Sequence, residues 1–155
     1  MSKLDEMLEY DIVPYKGIGD IYLGQSAVEV IGKIVDYDSY FNKGSLKITA
    51  IYPDIFIYKI LDSIDLWIDI KISKLIRIVL YNNYKGKYND VGLGDCLSLL
   101  KNKVENMFFD DDEVYVNDYN FVVIVDDDLY SLDEDKIENI KIEEMMLIYD
   151  SLENN

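Results

Sequence analysis

Histidine is absent from this chain of 155 residues, and cysteine occurs once, at Cys96. The missing imidazole removes Ser-His-Asp and Cys-His nucleophilic catalysis, histidine acid–base chemistry and histidine-ligated metal sites. A single thiol allows neither an internal disulfide nor a cysteine-rich zinc site. Cys96 sits beside an apolar stripe in the first turn of an expected helix and reads as a buried structural residue. Arginine is represented only by Arg77, and the 15 basic residues face 31 acids. No apolar run approaches the roughly 20 residues of a membrane span. The opening MSKLDEMLEYDIV has no basic head or apolar core of a secretion signal, so a cytoplasmic protein is expected.

What is present in excess is negative charge, −16 net. Nucleic acid and anionic membrane are polyanions and are disfavoured as partners; a basic protein or bound cations are favoured. Solubility alone is a competing reason for acidity. A compositional bias toward Ile, Asn, Lys, Tyr and Asp does not account for it, because such a bias raises lysine as much as aspartate. Half of the residues are hydrophobic, enough for a folded core despite the charge. The length fits one domain, residues 1–155, burying roughly 70% of its unfolded surface.

Residues 17–35, GIGDIYLGQSAVEVIGKIV, organise the chain. They read as a short strand, a glycine turn and a helix with a capping box, Ser26 at the N-cap and Glu29 three residues on. Ala27, Val30, Ile31 and Ile34 form one apolar stripe. The layout recurs in VGLGDCLSLLKNKV, residues 91–104, with Asp95 as cap, Leu97, Leu100 and Val104 as stripe, and a helix expected over 96–108. Between the helices the sequence alternates. Leu46, Ile48 and Ala50 mark one strand, Pro53-Asp54 a turn, and residues 55–60 the next strand. Leu66, Ile68, Ile70 and Ile72 line one face of a strand over 65–72; Ile76, Ile78 and Leu80 line the returning strand. Residues 113–117 and 121–125 read as a hairpin around Asp118, and residues 137–149 as a further strand or short helix. The fold class expected is α+β, one domain with a mainly antiparallel sheet and two principal helices packed on one face.

Glycines 17, 19 and 24 match neither the dinucleotide nor the P-loop spacing, so they serve backbone geometry. Two acid clusters stand out: Asp110, Asp111, Asp112 and Glu113, then Asp126, Asp127 and Asp128, the latter followed by Asp133, Glu134 and Asp135. Started at Asp126, an EF-hand loop has Ser131 where glycine belongs and Ile137 where glutamate belongs, and it fails. No metal site and no cofactor are expected. The clusters read either as solvated turns or as a binding patch that includes Tyr115 and Tyr119, since tyrosine beside carboxylate suits an interface with a basic partner. A second aromatic group, Tyr81, Tyr84 and Tyr88, surrounds the loop NNYKGKYN. The Pro53 region is a candidate sheet edge.

The run GIGDIYLGQSAVEV resembles a pattern of small bacterial immunity proteins, which neutralise the toxic C-terminal domains of contact-dependent growth inhibition and related polymorphic toxins. Gly17, Gly19, Ile21, Leu23, Gly24, Ser26, Glu29 and Val30 match it. Gln25 replaces the usual methionine, and Gly32 comes early for the helix end. The run LWIDIKISKLIRIVLYNNYKGKYNDVGLGDCL is similar to members of the same group. The same strand, turn and helix occur in lipoprotein modules of outer-membrane assembly, which a lipobox cysteine would mark. The resemblance implies a non-enzymatic inhibitor of a cognate toxin C-terminal domain, a basic nuclease in many such systems. Asp110, Asp111, Asp112, Glu113, Asp126, Asp127 and Asp128 would then supply the electrostatics, with Tyr115 and Tyr119 as anchors. Competing readings are an acidic nucleic-acid mimic acting on another DNA- or RNA-binding protein, a carboxylate-pair hydrolase, and a scaffold whose acidity serves solubility.

Overall fold

In the computed structural model, residues 3–13, 15–37, 46–116, 121–125 and 139–149 are described. The elements are α1 (Lys3–Met7), β1 (Ile12–Val13), β2 (Gly17–Ile18), β3 (Ile21–Tyr22), α2 (Ala27–Tyr37), β4 (Leu46–Tyr52), β5 (Ile55–Ile60), β6 (Ile64–Asp69), β7 (Lys74–Leu80), α3 (Leu97–Lys101), β8 (Met107–Asp110), β9 (Glu113–Val116), β10 (Phe121–Val125) and β11 (Ile142–Ile148). β1 to β3 form a small sheet of their own. The other eight strands make one antiparallel sheet in the order β4-β5-β6-β7-β11-β10-β9-β8.

Period-two alternation gives that sheet two unlike faces. On the first, Ile60, Ile64, Leu66, Ile68, Leu75, Ile78, Leu80, Val114, Val123, Met145 and Leu147 are buried in one cluster. Leu4 and Met7 of α1, Ala27, Val30 and Ile34 of α2, and Leu97 and Leu100 of α3 complete it, together with the small sheet through Ile12, Ile18 and Ile21. The second face carries the intervening residues, and none of them belongs to this cluster.

The strand order divides the large sheet into two four-stranded meanders, β4–β7 and β8–β11, which meet along β7 and β11. Each meander carries a bulge at the same place in its last strand pair, and the first has another in β4 between Ala50 and Tyr52. β6 slips against β7 between Trp67 and Ile68, and β10 slips against β11 between Ile124 and Val125, so that Ile76 and Glu143 are the extra residues. Aligning the two bulges equates Ile78 with Met145, Val79 with Met146 and Leu80 with Leu147. The observed β7–β11 register pairs Val79 with Met146, Ile78 with Leu147 and Leu80 with Met145. That is the pattern a twofold axis between Val79 and Met146 requires.

The glycine turns obey the same symmetry. Gly24 N–H donates to the Leu75 carbonyl, Leu75 N–H to Gln25, and Ala27 N–H to Ser73; Gly94 N–H donates to Ile142, Ile142 N–H to Asp95, and Leu97 N–H to Ile140. Gln25 Oε1 accepts from Tyr22 N–H at 3.1 Å, and Asp95 Oδ2 from Gly92 N–H at 2.8 Å. The two layouts visible in the sequence thus open two structurally equivalent halves, each a turn, a helix and a meander. Gly24 and Gly94 both sit at positive φ, 80° and 86°, where any side chain is strained. Their surroundings differ: a Cβ on Gly24 would lie 2.6 Å from the Tyr149 ring, whereas one on Gly94 would meet nothing within 4 Å. Gly94→Ala is therefore expected to cost about 1 kcal/mol, and Gly24→Ala clearly more, readable as two unequal shifts in the urea midpoint.

Several expectations need correction. The helix expected over 96–108 ends at Lys101, so α2 is the one long helix among the described residues and the architecture is not two principal helices on one face. The physical cause is local. In α2 the Ser26 hydroxyl accepts from Glu29 N–H at 3.2 Å, and the helix runs through the exposed Gly32 to Tyr37. α3 is capped by Cys96, without a side-chain bond, instead of by Asp95, whose carboxylate is turned back to Gly92. After Leu100 the polar run Lys101-Asn102-Lys103 offers nothing to bury, and the β-prone Met107-Phe108-Phe109 pairs with β9 as an edge strand. Cys96 itself is only half-buried. β6 stops at Asp69, because the Asp69 carboxylate accepts from the backbone of Lys71 and Ile72 and makes a turn. Ile70 and Ile72 are consequently exposed instead of core-facing. The bulge removes Ile76 from the core row and puts Leu75 there. β9 and β10 do pair as the expected hairpin over residues 113–116 and 121–124, while Asp118 lies outside the described residues.

Candidate functional site

The second face of the large sheet is where the unusual residues collect. The register places Lys59 on β5, Asp65 and Trp67 on β6, Arg77 and Val79 on β7, Glu144 and Met146 on β11, Val122 and Ile124 on β10, Glu113 and Tyr115 on β9, and Phe108 and Asp110 on β8. Trp67 and Arg77, the chain's one tryptophan and one arginine, are cross-strand partners. The guanidinium carbon lies 4.7 Å from the indole centroid, a cation–π stack. Trp67 Nε1 is buried with no hydrogen-bond partner among the described residues. Phe108 is 46% exposed, while Tyr115 and Met146 are half-buried. Arginine, tryptophan, tyrosine and methionine, collected on one sheet face, are residue types that anchor protein interfaces.

Charge is unequally divided across the pseudo-twofold. On the β4–β7 half, Asp65 is 8% exposed and held between Lys59 Nζ at 3.2 Å and the Tyr81 hydroxyl at 2.7 Å. This carboxylate is satisfied and structural. Across the axis, Arg77 is replaced at its equivalent position by Glu144, Lys59 by Tyr115 and Thr49 by Asp110, so this face of β8–β11 carries carboxylates and no base among the described residues. Glu144 feels that environment: burial, then Asp65, Glu143 and Asp112, push its carboxyl above the ordinary value.

The predicted acid clusters fare differently. Asp110, Asp111, Asp112 and Glu113 form the tight turn joining β8 to β9, with Asp111 at φ 53°, and so stand at the outer corner of the second face. Their three aspartates are exposed. Glu113 Oε2 accepts from the Tyr115 hydroxyl at 2.6 Å, and that bond, followed by burial, pushes the phenol up to about 12. Tyr115 is thus brought together with the first cluster. Tyr119, Asp126, Asp127 and Asp128 lie outside the described residues. The second aromatic group is no surface patch: Tyr84 and Tyr88 are buried in the core. Pro53 is exposed in the turn after β4, which is an edge strand. Sequence reasoning did not single out Trp67 with Arg77. The available signal was that each falls on the polar side of an alternating strand, where a large aromatic or a lone arginine has no core reason to be.

Chemically, this surface can bind and orient. Among the described residues no group of three or more cysteine, aspartate or glutamate side chains is arranged to hold a metal ion. No helix among them is long and apolar enough to cross a membrane.

Glu144 gives a pH prediction. Its raised folded value means that the protonated form is favoured by folding. Its contribution to stability is full below the unfolded value, and is lost as pH rises through the folded one. Glu144→Gln removes this loss. The variant is expected to unfold at higher urea than the parent at about pH 7.5, with the gap shrinking toward about pH 5. Equal midpoints at both pH values would contradict it.

No protein family, curated protein or solved structure matches this chain.

Proposed function

We propose that this chain is a non-enzymatic immunity protein, which neutralises a cognate basic toxin domain in the cytoplasm by covering its active site or substrate groove. The observation that carries the reading is the second face of the eight-stranded sheet. There Trp67 and Arg77 of the first half share a face with Tyr115, Phe108 and Met146 of the second, which also presents Asp110, Glu113 and Glu144. Such a surface offers desolvatable anchors, with negative potential at one side. A basic nuclease groove, built to hold phosphates, is complementary to that potential, and a carrier of −16 net charge is steered into it. The sequence resemblance of residues 17–30 to immunity proteins supports the same reading.

The test is a pull-down from the native host with the tagged chain as bait and mass spectrometric identification of the eluate. The expected result is a near-stoichiometric basic protein with a toxin-like C-terminal domain. A basic nucleic-acid-binding protein of another kind would replace the toxin by that target and make the chain a nucleic-acid mimic. No partner, even at low salt, would overturn the reading.

A further inference from the structure

The pseudo-twofold exposes a difference between the halves just beyond each central strand. Leu80 corresponds to Leu147, so Asn82 corresponds to Tyr149. In the first half the Tyr149 ring lies over Gly24. Its hydroxyl is 3.3 Å from Lys74 Nζ, which also stands 5.5 Å from the ring centroid. The turn that opens this half is therefore roofed by one planar side chain. In the second half no such roof stands among the described residues. Asn82 Nδ2 turns away to donate to the Asp62 carbonyl at 2.7 Å, and no described residue comes within 4 Å of the space a Cβ on Gly94 would take. What remains is a cavity of about 380 Å³, whose lining includes Tyr81, Asn82, Leu93, Ile142, Glu143 and Glu144 around Gly94.

Three features say what fits there. The filled half shows that this turn accepts a planar side chain lying on its glycine. The lining adds two carboxylates, Glu143 and Glu144, so the occupant is cationic. The mouth adjoins the second face, because Tyr81 reaches Asp65 and Glu144 follows Glu143 onto β11. We propose that the cavity is a socket for one arginine side chain of the basic partner, stacked against Tyr81 and paired with Glu144. Arginine fits better than lysine because its guanidinium is planar, stacks on rings and engages a carboxylate through two parallel hydrogen bonds. The molecule already uses the stacking mode once, between Arg77 and Trp67. This assignment rests on the proposed basic partner for its biological meaning, but its test does not require that partner.

The experiment is a titration of the isotope-labelled full chain with Nα-acetyl-arginine N-methylamide, followed by backbone amide shifts, with the citrulline analogue as the uncharged control. The expected result is a saturable shift confined to residues 81, 82, 94 and 142–144, in the millimolar range. The citrulline analogue should give no such shift, and Glu144→Gln or the exposed Glu143→Gln should weaken binding by at least about fivefold. Scattered shifts without saturation, or equal shifts from citrulline, would overturn the socket. That failure is separable from failure of the immunity reading: a basic partner recovered in the pull-down, yet bound equally well by the Glu143→Gln and Glu144→Gln variants, would remove the socket and leave the inhibitor in place.

Discussion

Ile78→Ala is expected to lower the unfolding free energy by about 2–5 kcal/mol, while Val79→Ala, one residue further along the same strand, costs about 1 kcal/mol or less. Ile78 is fully buried in the core cluster, between Leu66 on β6 and Leu147 on β11. Removing its side chain empties a space that close-packed neighbours cannot refill. Val79 pairs with Asp65 and Met146. It is 7% exposed but stands outside the core cluster, beside the long side chains of its strand partners, which have room to relax into the space a smaller residue leaves. For a domain of this size each kcal/mol is about 2–4 °C in Tm, so Ile78→Ala should melt about 5–20 °C below the parent. Urea unfolding with an unchanged slope would show that stability, and not the unfolded state, has moved. The pair also tests the two-faced sheet. If Val79→Ala were as costly as Ile78→Ala, the second face would be packed like the first and could not serve as an open binding surface.

How far the sequence carried this architecture depended on how local each signal was. The Ser26 cap and its stripe are contained in a dozen residues, and α2 starts where they specify, with Ser26 Oγ accepting from Glu29 N–H while the Glu29 carboxylate accepts from Gln25 Nε2. Leu66 and Ile68 alternate within one strand, and their burial follows. The misses arise where a non-local pairing overrides the local period. A bulge shifts the alternation by one residue, so the row Ile76, Ile78, Leu80 looks continuous, yet Leu75 takes the inner place. Met107-Phe108-Phe109 extends the helical stripe of Leu97, Leu100 and Val104 on paper. In the fold an unpaired edge of β9 competes for it, and a strand wins over a helix that has already lost its apolar face.

The second half of the pseudo-repeat was legible only through its glycine turn, because the two meanders share a pattern of burial and not residue identity. Trp67 corresponds to Ile124, and Arg77 to Glu144. The symmetry preserves core-facing hydrophobicity while leaving the outer face free to differ. The divergent residues therefore collect on the outer face, where recognition and not packing decides their identity. The acidic clusters show the same division. Their composition was plain in the sequence, but that Asp110 begins a strand turn beside Tyr115, instead of ending a helix, depends on β8 pairing with β9.

Neutralising the turn, Asp110→Asn, Asp111→Asn, Asp112→Asn and Glu113→Gln together, is expected to slow association with the basic partner by about 10–100-fold at low ionic strength and to flatten its salt dependence. The substitutions remove four of the sixteen net negative charges from one corner of the sheet. The three aspartates are exposed, so they act at a distance, before contact, and influence the encounter more than the lifetime of the complex. Glu113→Gln retains an acceptor for the Tyr115 hydroxyl, which keeps the local hydrogen bond and isolates the charge. Trp67→Ala should do the reverse. It removes the central anchor and unstacks Arg77, so dissociation should speed by about 30-fold, the equivalent of a 2 kcal/mol hot spot, with the association rate nearly unchanged. The contrast separates steering from anchoring on one surface. An acidic turn whose neutralisation leaves the association rate and its salt slope untouched would be serving solubility alone. A Trp67 variant that dissociates no faster would move the interface off the second face, toward the sheet edges at β4 or β8.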